Sequence, residues 1–181
     1  MNFVPVQKPA LETERLLLRQ WSADDLDGIC RIFATEENAR FIGGKMARWQ
    51  CEQYLMAMAG QWHFNGWGKF AIEEKASGQL AGFCGPAMMT GWEEPEISYS
   101  LAPEFHGKGY AVEGVIRSIQ YVYEDLGWET ANSQIEKPNT PSQRVAQKLG
   151  ATVEREDVEF AYYTADIWRH LPPEEFLARH A

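Results

Sequence analysis

The sequence predicts a mixed α/β (α+β) fold, a largely antiparallel sheet flanked by helices in a single domain. Three observations carry this. A chain of 181 residues is long enough for one sizeable core and short for two. Residues 69–74, 80–88 and 96–101 read as strands separated by turn-forming stretches at 76–79 and 91–95, the pattern of an antiparallel meander. Residues 110–123 instead place Ala111, Val112, Val115, Ile116, Ile119, Val122 and Tyr123 at helical spacing, directly after two glycines.

The elements follow in order. Residues 1–10 read as a lead-in. Residues 11–19 read as the first strand, with Leu16 and Leu18 on one face and Leu17 on the other. Ser22 then caps a helix whose first turn is acidic and whose apolar stripe is Leu26, Ile29, Cys30 and Phe33. Residues 41–44 break the pattern, and a second helix runs from 48 to 63 with Tyr54, Leu55, Met58 and Trp62 inward. After the meander and the 110–123 helix come a short strand at 133–136 and a proline-bounded loop at 137–142. A helix at 142–149 is stopped by Gly150. Alternating runs at 152–160 and 162–168 close the sheet, and residues 171–181 form a last short helix expected as a tail.

Composition narrows the function. The chain carries 26 acidic and 17 basic residues, a net charge of −9. That disfavours broad nucleic-acid binding and suits a cationic partner such as an amine. No apolar run is long enough to span a bilayer, and the first residues do not read as a signal peptide. Cys30, Cys51 and Cys84 form no C-x-x-C pair, so neither a disulfide framework nor a metal site is indicated. They are expected as reduced thiols of a cytoplasmic protein. A homodimer is an arrangement the sequence leaves open.

Residues 104–114, E-F-H-G-K-G-Y-A-V-E-G, carry the strongest motif. A strand, a glycine loop and a helix start follow one another. First-turn amides have no partner inside their helix, and the helix dipole puts partial positive charge there. Glycine lets the backbone approach a ligand closely. Together these form a socket for a phosphate or pyrophosphate. The spacing is not that of a P-loop, and Val112 stands where G-x-G-x-x-G needs its third glycine. The alternative is a helix that merely follows a glycine turn.

The stretch resembles the acetyl-coenzyme A loop of the GNAT superfamily of N-acetyltransferases, Q/R-x-x-G-x-G/A, with Gly107 and Gly109 in the glycine positions. Glu104 departs from Gln/Arg. The G-K-G-Y-A form, with Asn139-x-x-Ser142 and Leu149-Gly150, resembles the branch of the Rim-type ribosomal-protein N-terminal acetyltransferases. The resemblance covers residues 11–168, the core of an acetyltransferase domain spanning 1–181. It implies a fold whose central strands splay apart to admit coenzyme A. It implies cofactor contacts at Ser100, Leu101, Glu104, His106, Gly107, Lys108, Gly109, Tyr110, Ala111, Asn139, Ser142 and Arg144, with Lys137 and Lys148 as further cations. It places the acceptor cleft beside the first two helices, where Trp49, Trp62 and Trp67 line it or pack in the core.

Acetyl transfer to an amine requires a base, an oxyanion site and a proton for the leaving thiolate. Glu96, at the head of the loop strand, is the base candidate; the alternative is a solvated strand-end glutamate. Backbone amides near Ser100 and Leu101 are the oxyanion donors the resemblance implies. Ser142 is the first acid candidate, or a helix N-cap; Tyr162 or Tyr163 is the second. No motif places a nucleophile, so direct transfer is the simpler mechanism. The substrate is a protein or peptide N-terminus or a small amine. The competing reading is a non-catalytic acyl-coenzyme A sensor, supported by Glu104.

Overall fold

The computed structural model describes residues 9–181, so most of the expected lead-in lies outside the described residues. The first predicted strand is two. β1 (Leu11–Glu12) and β2 (Leu16–Arg19) form an antiparallel hairpin pairing Leu11 with Leu18. The reversal is made by Thr13, whose hydroxyl accepts from the Leu16 amide at 2.9 Å and whose own amide donates to the Leu16 carbonyl at 3.0 Å. Leu16 and Leu18 are buried and Leu17 half-buried.

Ser22 caps as expected, first a 3-10 turn (Ala23–Asp25) and then α1 (Leu26–Ile32). The predicted stripe holds in part, with Ile29 and Phe33 fully buried and Leu26 and Cys30 half-buried, and the buried face extends to Gly28 and Ile32. A Cβ on Gly28 would sit 2.5 Å from the Leu80 side chain, so the helix turns its smallest residue to that contact. α2 (Glu36–Ala39) is one turn, and α3 (Arg48–Asn65) buries Cys51, Leu55, Met58 and Trp62. β3 (Phe70–Glu74), β4 (Gln79–Ala87) and β5 (Glu96–Leu101) complete a five-stranded sheet in the order β1-β2-β3-β4-β5.

α4 (Tyr110–Glu124) follows β5, and β6 (Asn132–Ile135), α5 (Thr140–Lys148), β7 (Thr152–Glu159) and β8 (Thr164–Arg169) follow it. The last three strands form a separate antiparallel sheet, order β6-β8-β7. β5 thus ends one sheet and β6 begins another. β7 is an edge strand, exposed along most of its length, with two irregularities in its pairing and Asp157 at φ 53°.

α6 (Pro173–Arg179) is no loose tail. Phe176 is fully buried and meets the Tyr123 ring edge-on at 5.8 Å. Gln120 of α4 donates to the His180 carbonyl at 3.0 Å, and the Tyr123 hydroxyl to the Leu171 carbonyl at 2.8 Å. The described residues fall into two compact units. One holds residues 9–83 and Ser100–His106; the other holds Cys84–Tyr99 and residues 107–181.

Candidate active site

In the second unit, Gly107 and Gly109 both have left-handed backbone, φ 73° and 83°. Gly109 is the residue on which α4 starts, so the glycines are required by the turn, and Cβ space at Gly107 is open. Tyr110 and Ala111 open the helix. This socket suits the pyrophosphate of a coenzyme. Lys108 stands 5.7 Å over the Tyr110 ring. Arg144 and Lys148 are exposed. Lys137 is committed elsewhere, to Asp157 at 2.7 Å and Glu156 at 3.1 Å.

Glu96 is not a solvated strand-end residue. It is 8% exposed, and its Oε2 accepts the Gln134 amide at 2.8 Å. Next to it the Ser133 hydroxyl donates to the Ile97 carbonyl at 2.9 Å and the Asn132 amide group to the Pro95 carbonyl at 2.9 Å. Three successive residues of β6 therefore clasp the head of β5 through one side chain or another. Tyr163 donates to the Gln134 side-chain oxygen and stacks on Phe160 at 4.8 Å. Burial, then the Glu96 carboxylate, push the Tyr163 phenol well above its ordinary value. It stays protonated, a donor and not a base. Tyr162 is 90% exposed. A small open cleft of about 40 Å³ lies beside Gln134, with Glu93, Glu94, Arg155, Glu159 and Phe160 among its walls.

Ser142 is not the N-cap of α5. Asn139 is, its Oδ1 accepting the Ser142 amide at 3.3 Å. Pro141 sits in the first turn, where a missing N–H costs nothing. Ser142 is half-buried, and its carbonyl accepts from Tyr99 at 3.1 Å. Tyr99, absent from the predicted site, thus ties β5 to the first turn of α5. Burial raises its phenol as well.

Sequence reasoning also missed His170. Its Nε2 lies 3.1 Å from the Ser133 hydroxyl. The Ser133 proton goes to Ile97, so the imidazole carries its hydrogen on Nε2. His170 Nδ1 is buried without a partner, and burial, with Arg169 nearby, lowers its pKa to about 4. With no carboxylate on Nδ1 this is a structural clasp and not a nucleophilic triad. Cys84 is fully buried, its thiol directed at the Gly114 carbonyl.

In the first unit, Ser100, Leu101, Glu104 and His106 lie together. A Cβ at Gly82 would be 2.2 Å from the Ser100 carbonyl, so only glycine permits this approach. The Leu101 carbonyl accepts from Asn38 at 3.1 Å and meets His106 Nε2 at 3.1 Å. Glu104 pairs with Arg31 at 2.8 Å, so its charge is met within the fold. Trp62 is buried, its indole bonded to the Lys69 carbonyl, while Trp49 is 61% exposed. Trp62 is thus core and not a cleft wall. Among the described residues no His, Cys, Asp and Glu cluster could hold a metal ion.

The model of the acetyltransferase (GNAT) domain family matches residues 15–152, most of the chain. The chain belongs to the GNAT acetyltransferases. An uncharacterised N-acetyltransferase of Bacillus subtilis, YoaA, is 25% identical over 92% of this chain and 99% of its own. An acetyltransferase of Agrobacterium tumefaciens superposes with a TM-score of 0.80 at 24% identity, covering 94% of this chain and 99% of that one. A ribosomal-protein-S5-alanine acetyltransferase of Vibrio fischeri gives 0.71 at 17% identity, covering 90% and 96%. These structures share the fold. In this GNAT acetyltransferase no helix among the described residues is long and apolar enough to cross a membrane.

Proposed function

We propose that this enzyme moves the acetyl group of acetyl-coenzyme A directly onto a primary amine, within one domain spanning residues 1–181. The observation that carries the reading is Glu96, a buried carboxylate at the head of β5 locked to the Gln134 amide of β6. A carboxylate there takes the proton of the attacking ammonium, directly or through water. The thioester supplies the activated acyl group.

The residues present fit the coenzyme. Gly107 and Gly109 shape the backbone, and the amides of Lys108, Tyr110 and Ala111 face the pyrophosphate. Asn139 spends its oxygen on capping α5, so only its NH₂ serves the ligand. Arg144 is an exposed cation for the nucleotide end, and His106 and Glu104 flank the loop in sequence. The amides of Ser100 and Leu101 are the oxyanion donors. Ser142 or Tyr163 returns a proton to the thiolate, and the raised pKa of the Tyr163 phenol weighs against it as that acid. The three free thiols accord with a cytoplasmic setting.

The acceptor is a protein or peptide N-terminus or a small amine. The competing non-catalytic acyl-coenzyme A module loses force from the Arg31–Glu104 pair, which accounts for the one departure in the loop. Thiol release from acetyl-coenzyme A across N-terminal peptides, polyamines, amino sugars and amino acids tests the reading. Release with any acceptor supports transfer. Silence from folded protein that still binds acetyl-coenzyme A favours the non-catalytic module.

A further inference from the structure

Lys69, the residue before β3, is held in an unusual way. The indole N–H groups of Trp21 and Trp62 both donate to its carbonyl oxygen, at 2.8 and 2.9 Å. Its backbone is pinned from two sides. Its side chain then runs into an aromatic setting. The ammonium nitrogen lies 5.0 Å from the Phe83 centroid and 5.8 Å from that of Tyr54. It donates to the Tyr54 hydroxyl at 3.3 Å. Phe33 meets Tyr54 edge-on at 4.9 Å, and Trp21 tilts against Phe83 at 6.5 Å. Phe33 and Phe83 are fully buried, and Lys69 and Tyr54 half-buried.

Among the described residues this cation has no counter-charge. The chain holds 26 carboxylates against 17 cationic side chains, and exposed cations such as Arg48 and Lys137 find them. Lys69, less exposed than either, has among the described residues only a phenol and two ring faces. Ring faces attract a cation, yet they do not neutralise it. The donor count points the same way. An ammonium has three N–H donors, and one goes to Tyr54. The Tyr54 oxygen accepts that bond on a lone pair, which leaves its O–H able to donate, and no acceptor for it is found among the described residues. Two N–H groups and one O–H remain, side by side.

We propose that Lys69 and Tyr54 form a subsite for a carboxylate. One carboxylate oxygen takes the Lys69 ammonium and the other the Tyr54 hydroxyl, and one negative charge meets one positive charge. A phosphate, with up to two charges and three oxygens, would outrun a single cation in an aromatic setting.

The test is direct binding of benzoate to the full chain without acetyl-coenzyme A, followed by tryptophan and tyrosine fluorescence. The expected result is a saturable response that benzylamine does not produce. It weakens at least about tenfold in Lys69→Met and less in Tyr54→Phe, which keeps the ring, with both variants shown folded by circular dichroism. No saturable response in the wild type, or equal affinity in folded Lys69→Met, overturns the subsite. Phosphate binding as tightly as benzoate overturns its carboxylate selectivity. Benzoate binding with no acetyl transfer to any amine leaves the subsite standing and removes the transferase reading.

Discussion

Glu96→Gln separates chemistry from architecture. The carboxylate is 8% exposed and accepts one backbone N–H at 2.8 Å. Glutamine is nearly isosteric, and its carbonyl oxygen can accept the same bond. A hydrogen bond to a charged group contributes about 1.5–3 kcal/mol and a neutral one about 0.5–1.5, so the substitution should cost about 1 kcal/mol. For a chain of this length that lowers Tm by about 2–4 °C. An amide cannot take the amine proton, and loss of a general base costs ~10²–10⁴-fold in rate. Thermal unfolding and steady-state kinetics on the best acceptor should therefore give a small Tm change and a large fall in kcat. An unchanged kcat beside the lowered Tm would refute the base assignment and leave Glu96 as the clasp between β5 and β6. Glu96→Ala, which strands the Gln134 N–H, should cost a further ~1–3 kcal/mol.

Glu104→Gln restores the family's residue and removes a negative charge from the coenzyme loop. Calorimetry should show acetyl-coenzyme A binding tightened a few-fold, an effect on the order of 1 kcal/mol that fades with salt, and weaker binding would contradict the reading. Phe176→Ala, which empties a fully buried site between α6 and Tyr123, should lower stability by about 3–5 kcal/mol in urea unfolding; a loss under about 1 kcal/mol would mean that α6 is peripheral. His170 is held near a pKa of about 4 against an ordinary 6.5. The unfolded chain binds that proton first, so this contribution is complete above pH 6.5 and is lost as pH falls toward 4. The loss amounts to about 3 kcal/mol, and His170→Gln should flatten the stability profile in that window.

The parts legible in the sequence are those written by neighbours along the chain. The glycine loop, the α4 pattern and the meander each lie within one short stretch. Thr13 hid the β1–β2 reversal because it makes a turn with its hydroxyl, and neither glycine nor proline marks the place. Asn139 and Ser142 are both good caps three residues apart. Pro141 was the deciding signal, since proline belongs in a first turn and so moves the cap back to Asn139. The extension of the buried face of α1 to Gly28 was set by Leu80, a contact between distant segments. The same holds of His170 with Ser133, Glu104 with Arg31, and Glu96 with Gln134. Sequence named Glu96 and Glu104 but had no means of naming their partners.

The exposed strand β7 governs how copies of this protein behave at high concentration. A free sheet edge invites a second chain to add its own strand. Here the edge carries Glu154, Glu156, Asp157 and Glu159 within eight residues, so two such edges brought together oppose like charge. The left-handed backbone at Asp157 and the pairing irregularities around it also interrupt the even row of amides and carbonyls that a growing fibril would template on. The rim that most resembles a sticky end is thereby made a poor seed for aggregation, and crowding should leave this edge unextended at neutral pH.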